Sequence, residues 1–185
     1  WARGPQVMQG YYENSEATEK VLRENKWFVT GDLGWRTATG DIVISGRAKD
    51  TIVLSSGENI EPEPIEDVCR KSSLVQQLVL VGNDQKTLGA LVVPEYGNLA
   101  EAVGLPSDSE PEAIIKHPEA SRIVRQSLSD AMSTDGRFKA AESVSKVHLL
   151  AEPFSDSNGM MTNTMKIKKN VVYEKYKTEI SEMYQ

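Results

Sequence analysis

The stretch from residue 27 to residue 66 constrains the fold more than any other part of the chain. It reads WFVTGDLGWRTATGDIVISGRAKDTIVLSSGENIEPEPIE. Apolar runs at residues 27–29 and 42–44 predict short strands bounded by turns that contain glycine. A helix is predicted to start at Pro62 or Pro64, because proline fits the first helical position. This one stretch is therefore predicted to contain short strands followed by the start of a helix.

The rest of the chain continues this mixed pattern. Further strands are predicted at residues 75–81, 88–93 and 144–150, and a β-hairpin at residues 51–61. Helices are predicted at residues 16–25, at residues 118–132 within a longer helical stretch at 97–142, and after a cap at Asn170. Residues 104–112 are predicted to form an acidic loop. Strands and helices in this order favour an α+β fold over a doubly wound sheet. We expect a β-hairpin and a sheet of about three strands with flanking helices, after a short, mostly β beginning.

Composition excludes several classes of function. The chain has 185 residues and a net charge of −6, so electrostatics give no reason to expect nucleic-acid binding. Cys69 is the single cysteine, which excludes an intrachain disulfide and favours a reducing compartment. His117 and His148 are far apart, so no metal site is predicted. Trp1 stands where an initiating Met is expected, which predicts that the chain is a piece of a longer protein.

Asp32 and Arg47 have side chains suited to a nucleotide, and Asp32 is predicted to lie in a turn flanked by glycines. A carboxylate can accept hydrogen bonds from the two vicinal hydroxyls of a ribose, and the nearby Gly31 and Gly34 allow a close approach. A guanidinium group donates in a fork that fits ribose or phosphate oxygens. The alternatives are that Asp32 caps a turn and that Arg47 forms a surface ion pair with a nearby aspartate.

The order and spacing of Asp32, Arg47 and Lys49, with the polar turn and acidic helix start that follow, resemble the adenylate-forming ligase superfamily. This superfamily includes acyl-CoA synthetases, firefly luciferase and peptide-synthetase adenylation domains. Residues 3–18 are similar to the segment that precedes this motif in those ligases. Residues 154–172, with the run TNTMK at 162–166, resemble the long-chain fatty acyl-CoA and acyl-ACP synthetase branch.

The resemblance implies two domains and an activity. Residues 1–48 would be the C-terminal end of a large N-terminal AMP-binding domain, and residues 49–185 a C-terminal lid domain. The parent would be an AMP-forming long-chain fatty acid ligase that makes an acyl-adenylate from fatty acid and ATP. The acyl group would then pass to CoA or acyl carrier protein. Two alternatives stay open: a stand-alone nucleotide-binding or interaction module, and the lid of another adenylating enzyme such as an aryl or amino acid ligase.

The resemblance also assigns roles to three charged residues. Asp32 and Arg47 would bind the nucleotide. Lys166 would be the catalytic residue that bridges the substrate carboxylate and the α-phosphate, since a buried ammonium offsets the repulsion between two anions. The alternative for Lys166 is a basic run that leads into a helix. Its neighbours Lys168 and Lys169 are interpreted as solvated charges or as charges that steer phosphorylated substrates.

Lys49 and the turn at Ser56, Gly57 and Glu58 would serve the second half-reaction. Lys49 matches the hinge about which the small domain rotates, and the turn would line the tunnel for the thiol. Alone, Lys49 is typical of an exposed surface charge, and the turn is typical of an ordinary hairpin.

The implied ligands and partners are small molecules and the rest of the same protein. ATP or AMP, Mg²⁺ and CoA are expected in the full-length enzyme, with the Mg²⁺ ligands, the phosphate loop and the acyl pocket upstream of Trp1. The isolated chain is therefore predicted to be inactive. Acyl carrier protein is the other candidate acceptor, and the large N-terminal domain is an expected partner. A cytoplasmic location is expected, and the resemblance allows peripheral membrane association of the parent.

Overall fold

The computed structural model describes residues 1–185 and divides them into two compact units, Trp1–Lys49 and Asp50–Gln185. The first unit holds a helix and two small antiparallel pairs of strands. The second holds a two-stranded pair, a three-stranded sheet and six helices. This mixed architecture confirms the predicted α+β class. None of the helices is both long and apolar enough to cross a bilayer.

The first unit begins with a helix shorter than the one predicted at residues 16–25. Helix α1 (Ser15–Val21) starts where the Asn14 side chain accepts a hydrogen bond from the Ala17 N–H. It ends early because Leu22–Arg23 (β1) pairs with Trp27–Phe28 (β2).

The second strand pair of this unit corrects the prediction for Asp32. Strand β3 (Asp32–Arg36) pairs antiparallel with β4 (Ile42–Arg47). Asp32 therefore opens a strand and does not lie in a turn. The strand predicted at residues 42–44 is confirmed and extends to Arg47.

The second unit begins with the predicted hairpin and helix. Strands β5 (Ile52–Val53) and β6 (Asn59–Ile60) pair antiparallel. Helix α2 (Pro62–Cys69) follows, with proline at its start, and it buries Ile65, Val68 and Cys69 as predicted. This apolar face anchors the helix in the core.

A three-stranded sheet organises the second unit, as predicted. Strand β8 (Leu88–Pro94) lies between β7 (Val75–Val81), to which it is antiparallel, and β9 (Val144–Leu149), to which it is parallel. Every residue of β8 is buried, as a central strand covered on both faces requires. Alternate β8 residues belong to two core clusters, Ala90 and Val92 to one and Leu91 and Val93 to the other.

Helices link β8 to β9 and follow β9. Helices α3 (Tyr96–Ala102) and α4 (Pro111–Ile115) lie in the helical stretch predicted at residues 97–142, for which no separate bounds were predicted. Helix α4 begins inside the acidic loop predicted at residues 104–112. Helix α5 (Ala120–Asp135) buries residues at four-residue spacing and ends at Gly136, whose left-handed φ of 71° favours glycine. The single predicted last helix is two, α6 (Lys169–Lys175) and α7 (Lys177–Met183), and Asn170 lies inside α6 and is not its cap.

Candidate functional site

Asp32 and Arg47 meet at one end of the β3–β4 pair. They are directly opposite each other in the strand register, and Arg47 Nε lies 3.1 Å from Asp32 Oδ1. The Asp32 N–H donates to Thr30 Oγ1, and the carbonyl of the preceding Gly31 accepts from the Ala48 N–H. The side chains of Asp32 and Arg47 are 32% and 59% exposed, so both reach solvent. The structure thus forms the ion pair that was the alternative for Arg47.

Gly34 explains how this end of the strand pair is shaped. The register shifts between Leu33 and Gly34, and a Cβ at Gly34 would lie 2.6 Å from the carbonyl oxygen of Val43. A side chain at this position would push the strands apart. The glycine therefore permits the irregularity that separates the Asp32–Arg47 pair from the regular part of the ladder.

Lys49 is the last residue of the first unit. Its side chain is exposed, and it lies in the turn that follows β4. A turn residue without a packed side chain can absorb a torsion change at small cost. The role of Lys49 as a hinge stays a prediction.

Ser56, Gly57 and Glu58 form the exposed tip of the β5–β6 hairpin. The Gly57 N–H donates to the Leu54 carbonyl, and the Leu54 N–H donates to the Glu58 carbonyl. Gly57 has a φ of +86°, and no atom lies within 4 Å of the position a Cβ would take. Backbone conformation therefore explains this glycine, and the open space beside it leaves room for a ligand. The role as a thiol-tunnel loop stays a prediction.

Lys166 lies on an exposed loop whose two ends are hydrogen-bonded to each other. The loop closes where the Thr162 N–H donates to the Lys166 carbonyl and the Lys166 N–H donates to Thr162 Oγ1, at 2.8 and 3.1 Å. Met161 and Ile167 form an isolated antiparallel bridge below it. The Lys168 N–H donates to the carbonyl of the buried Met160. Lys166 itself is exposed, which differs from the buried ammonium that the predicted role requires.

Sequence reasoning missed a buried ion pair, one member of which, Lys169, directly follows this loop in the chain. Glu66 is the one charged residue in the buried core, and Lys169 Nζ lies 2.9 Å from its Oε1. A signal existed, because Glu66 stands between the apolar residues Ile65 and Val68 on the buried side of α2. Its partner Lys169 was interpreted as a solvated or steering charge.

Two ionisable side chains near Glu66, those of Cys69 and Tyr173, keep their protons at neutral pH. Burial raises the pKa of the Cys69 thiol to about 12, and the nearby Glu66 carboxylate adds to this effect. Burial, followed by Glu66 and Asp50, also raises the pKa of Tyr173. Both groups stay neutral, so neither is a ready nucleophile or base.

The predicted site residues are divided between the two units. Asp32, Arg47 and Lys49 belong to the first unit, and the hairpin tip and Lys166 to the second. A groove of about 520 Å³ in the second unit is lined by residues of the β7–β8 turn, α6 and α7, and by none of the predicted site residues. No group of three or more His, Cys, Asp or Glu side chains is placed to hold a metal ion.

Comparison with known proteins gives the same family as the motifs. Residues 49–185 match the family model of the AMP-binding enzyme C-terminal domain. The probable acyl-activating enzyme 16, chloroplastic, of Arabidopsis thaliana is 42% identical over 98% of this chain and 26% of its own length. The long-chain fatty acid–acyl-carrier-protein ligase AEE15, chloroplastic, of the same plant is 40% identical over 98% and 24%. The long-chain-fatty-acid–CoA ligase FadD15 of Mycobacterium tuberculosis is 33% identical over 98% and 30%.

A solved structure shares the fold. The A domain of a carboxylic acid reductase from Segniliparus rugosus, in complex with AMP and a co-purified carboxylic acid, matches with a TM-score of 0.83. The match covers 98% of this chain and 27% of that chain at 24% identity, so it shows the fold alone. This chain spans between 24% and 30% of the length of the three curated relatives described above.

Proposed function

Because the chain belongs to the AMP-binding enzyme C-terminal domain family, we propose that it is the C-terminal part of an AMP-forming long-chain fatty acid ligase. The substrate class comes from the relatives named as long-chain fatty acid ligases, at 40% and 33% identity over 98% of this chain. The observation that carries the mechanism is Lys166, exposed on a loop whose base is fixed by buried residues.

Lys166 would act in the first half-reaction. A carboxylate oxygen of the fatty acid attacks the α-phosphorus of ATP, the bond to pyrophosphate breaks, and acyl-adenylate forms. Two anions must approach each other, and an ammonium between them lowers the cost as charge develops in the transition state. An exposed lysine on a braced loop is suited to a lid, because its charge becomes desolvated only when the loop meets the rest of the active site.

Asp32 and Arg47 would hold the nucleotide. The ion pair, at 3.1 Å, restrains the Asp32 carboxylate at the end of two paired strands. From there the carboxylate can accept hydrogen bonds from ribose hydroxyls, and the Arg47 guanidinium can donate to nucleotide oxygens. Restraint of both groups before binding reduces the entropy lost when the ligand binds.

Lys49 and the tip of the β5–β6 hairpin would serve the second half-reaction. The sulfur of a thiol attacks the acyl carbon of the adenylate, AMP leaves with the bonding electron pair, and the thiol proton passes to solvent. Rotation at Lys49 would replace the Lys166 loop by the hairpin tip, where the open space beside Gly57 admits a narrow thiol arm. The fold would thus present two different loops to one substrate.

The acceptor thiol belongs to CoA or to acyl carrier protein, since relatives are named for each. Mg²⁺ would accompany ATP, with ligands supplied by the rest of the protein. The proposed location is the cytoplasm, with peripheral membrane association of the parent, although two relatives are named as chloroplastic.

Lys166→Ala in the full-length parent tests the proposal. Pyrophosphate release from palmitate and ATP should fall by about 10²–10³, as is typical when a charge-stabilising contact is lost. Thioester formation from synthetic acyl-adenylate, measured with CoA and with acyl carrier protein, should change far less. Lys168→Ala is the matched control, because Lys168 is an exposed lysine two residues away. Equal losses in the two half-reactions would remove Lys166 from this role, and absence of any adenylation of fatty acids by the wild type would refute the substrate class.

A further inference from the structure

The buried Glu66 carboxylate ties three elements together. Its Oε1 accepts from the Leu80 N–H of β7 at 3.1 Å and from Lys169 Nζ of α6 at 2.9 Å. The side chains of Glu66 and Lys169 are 4% and 13% exposed. A buried charge is tolerated only when it is paired and hydrogen-bonded, so neither partner can move away alone at small cost.

Strand β7 provides the fixed point for this arrangement. It lies at the edge of the sheet, so alternate residues direct their N–H and C=O groups away from β8. At Leu80 side chains take up both groups, because Tyr173 Oη donates to the carbonyl at 2.9 Å while Glu66 accepts from the N–H. Tyr173 lies one turn after Lys169 in α6. The first turn of α6 is therefore held against the sheet edge at two points.

The loop that carries Lys166 enters α6 at this point. Lys169 is the first residue of the helix and follows Lys166 by three positions. Residues 163–166 are all exposed, and Met165 has a left-handed φ of 63°. Nothing in the exposed part of the loop packs against the core, so its position depends on the residues at its two ends.

We propose that Glu66 and Lys169 are positioning residues that fix the position and direction of the Lys166 loop, relative to the edge of the sheet at β7, for the adenylation step. The inference rests on the proposed catalytic role of Lys166. Uncoupling of the pair would let the first turn of α6 shift along the β7 edge, and a displacement of about 1 Å at a reacting centre can cost on the order of 10²-fold in rate. The hairpin tip at Ser56–Glu58 does not depend on the pair, so thioester formation should be spared.

The test uses a double variant of the full-length parent, Glu66→Gln with Lys169→Met. Removal of Lys169 alone would leave Glu66 with only the Arg70 guanidinium, 4.0 Å away, as a positively charged partner, and removal of Glu66 alone would leave the Lys169 ammonium without its partner, so either single variant risks misfolding. The double variant removes both charges, and the amide oxygen introduced at position 66 can still accept from the Leu80 N–H. Its melting temperature should stay within a few degrees of the wild type, while kcat for adenylation falls about 10- to 100-fold with little change in KM for ATP. Thioester formation from synthetic acyl-adenylate should stay within about threefold.

Lys175→Met is the matched control. Lys175 lies in the same helix and pairs with Glu152 at 2.6 Å, but the two side chains are 38% and 51% exposed. Surface pairs contribute little, so both half-reactions should stay within about twofold. The proposal is overturned if the double variant adenylates at the wild-type rate, or if both half-reactions and the melting temperature fall together. Lys166→Ala is measured in parallel, since normal adenylation in that variant would refute the proposed function separately.

Discussion

The two units of the chain differ in how they hide apolar surface. In Asp50–Gln185, two clusters of fully buried residues cover the two faces of the three-stranded sheet. In Trp1–Lys49, no apolar side chain is fully buried, and Trp35, Ile42 and Ile44 are 58%, 67% and 61% exposed. Exposed apolar residues grouped on one strand pair mark a surface that another part of a protein covers. This difference supports the proposal that the second unit is a complete domain and that the first is part of a larger one.

The catalytic capacity of the whole chain is the strongest test of this comparison. We expect no measurable adenylation by the isolated 185-residue chain, because the phosphate loop and the acyl pocket are expected elsewhere in the parent. Pyrophosphate release is measured with palmitate, ATP and Mg²⁺, with the full-length parent as positive control. Turnover close to that of the parent would contradict the division of the active site proposed above.

Separate expression of the units is the next test. Asp50–Gln185 should unfold in one cooperative thermal transition, because its buried clusters lie wholly within it. Trp1–Lys49 should show no cooperative transition, since it buries too little apolar surface to offset the conformational entropy of folding. Circular dichroism on heating distinguishes the two. A cooperative melt of the isolated first unit would contradict the claim that it buries too little apolar surface to fold alone.

Lys49→Pro tests the junction between the units. Proline locks one backbone torsion, so a pivot at this residue would be held in one state, which we expect to be the adenylating one. In the full-length parent, adenylation should persist while thioester formation falls by on the order of 10². A thermal melt separates this effect from misfolding, and Lys49→Ala is the control that removes only the charge. A folded proline variant with both half-reactions intact would place the hinge elsewhere.

The sequence predicted the second unit better than the first. Long apolar runs such as residues 75–81 and 88–93 indicate buried strands, because such strands need apolar residues on both faces. Asp32 was predicted in a turn because glycine lies on both sides of it at positions 31 and 34. In the structure these glycines serve a strand with a register shift. Periodicity within one strand carries no information about a partner strand, so this pairing could not be predicted from it.

The residues of the candidate site were predicted individually from the sequence, but the residues that hold them in place were not. Motif resemblance supplied Lys166, and the structure shows an exposed loop at that position. The pairing of Glu66 with Lys169 joins residues 103 positions apart, which no local pattern records. The loop begins after the buried Met160 and Met161, and Lys169 is the first residue of the helix that follows it. Tertiary packing therefore decided which of Lys166, Lys168 and Lys169 is largely removed from solvent.

Alkaline unfolding gives the smallest expected difference between the units. The pKa of Cys69 rises from 9.0 to about 12 and that of Tyr184 from 10.0 to about 12, both mainly through burial, and both residues lie in the second unit. A raised pKa in the folded state means that the unfolded chain releases the proton first. The stabilisation is therefore complete below pH 9.0 and is lost as the pH rises toward about 12.

The Cys69 thiol sets the size of this effect. It should contribute a loss of up to about 1.4 kcal/mol in the free energy of unfolding per pH unit within that range.

Urea midpoints are measured between neutral and alkaline pH by far-UV circular dichroism, which is dominated by the second unit. Fluorescence of Trp1, Trp27 and Trp35 follows the first unit, because all three tryptophans of the chain lie there. The dichroism midpoint should fall as the pH rises, whereas the tryptophan fluorescence, which comes from a unit expected to have no cooperative transition, should change gradually with urea at every pH. In Cys69→Ala, which has no titrating thiol, the slope should be shallower even though the small cavity lowers stability at every pH. Equal slopes in the wild type and Cys69→Ala would mean that the thiol ionises as readily in the folded chain as in the unfolded one, and that the second unit does not shield it from water.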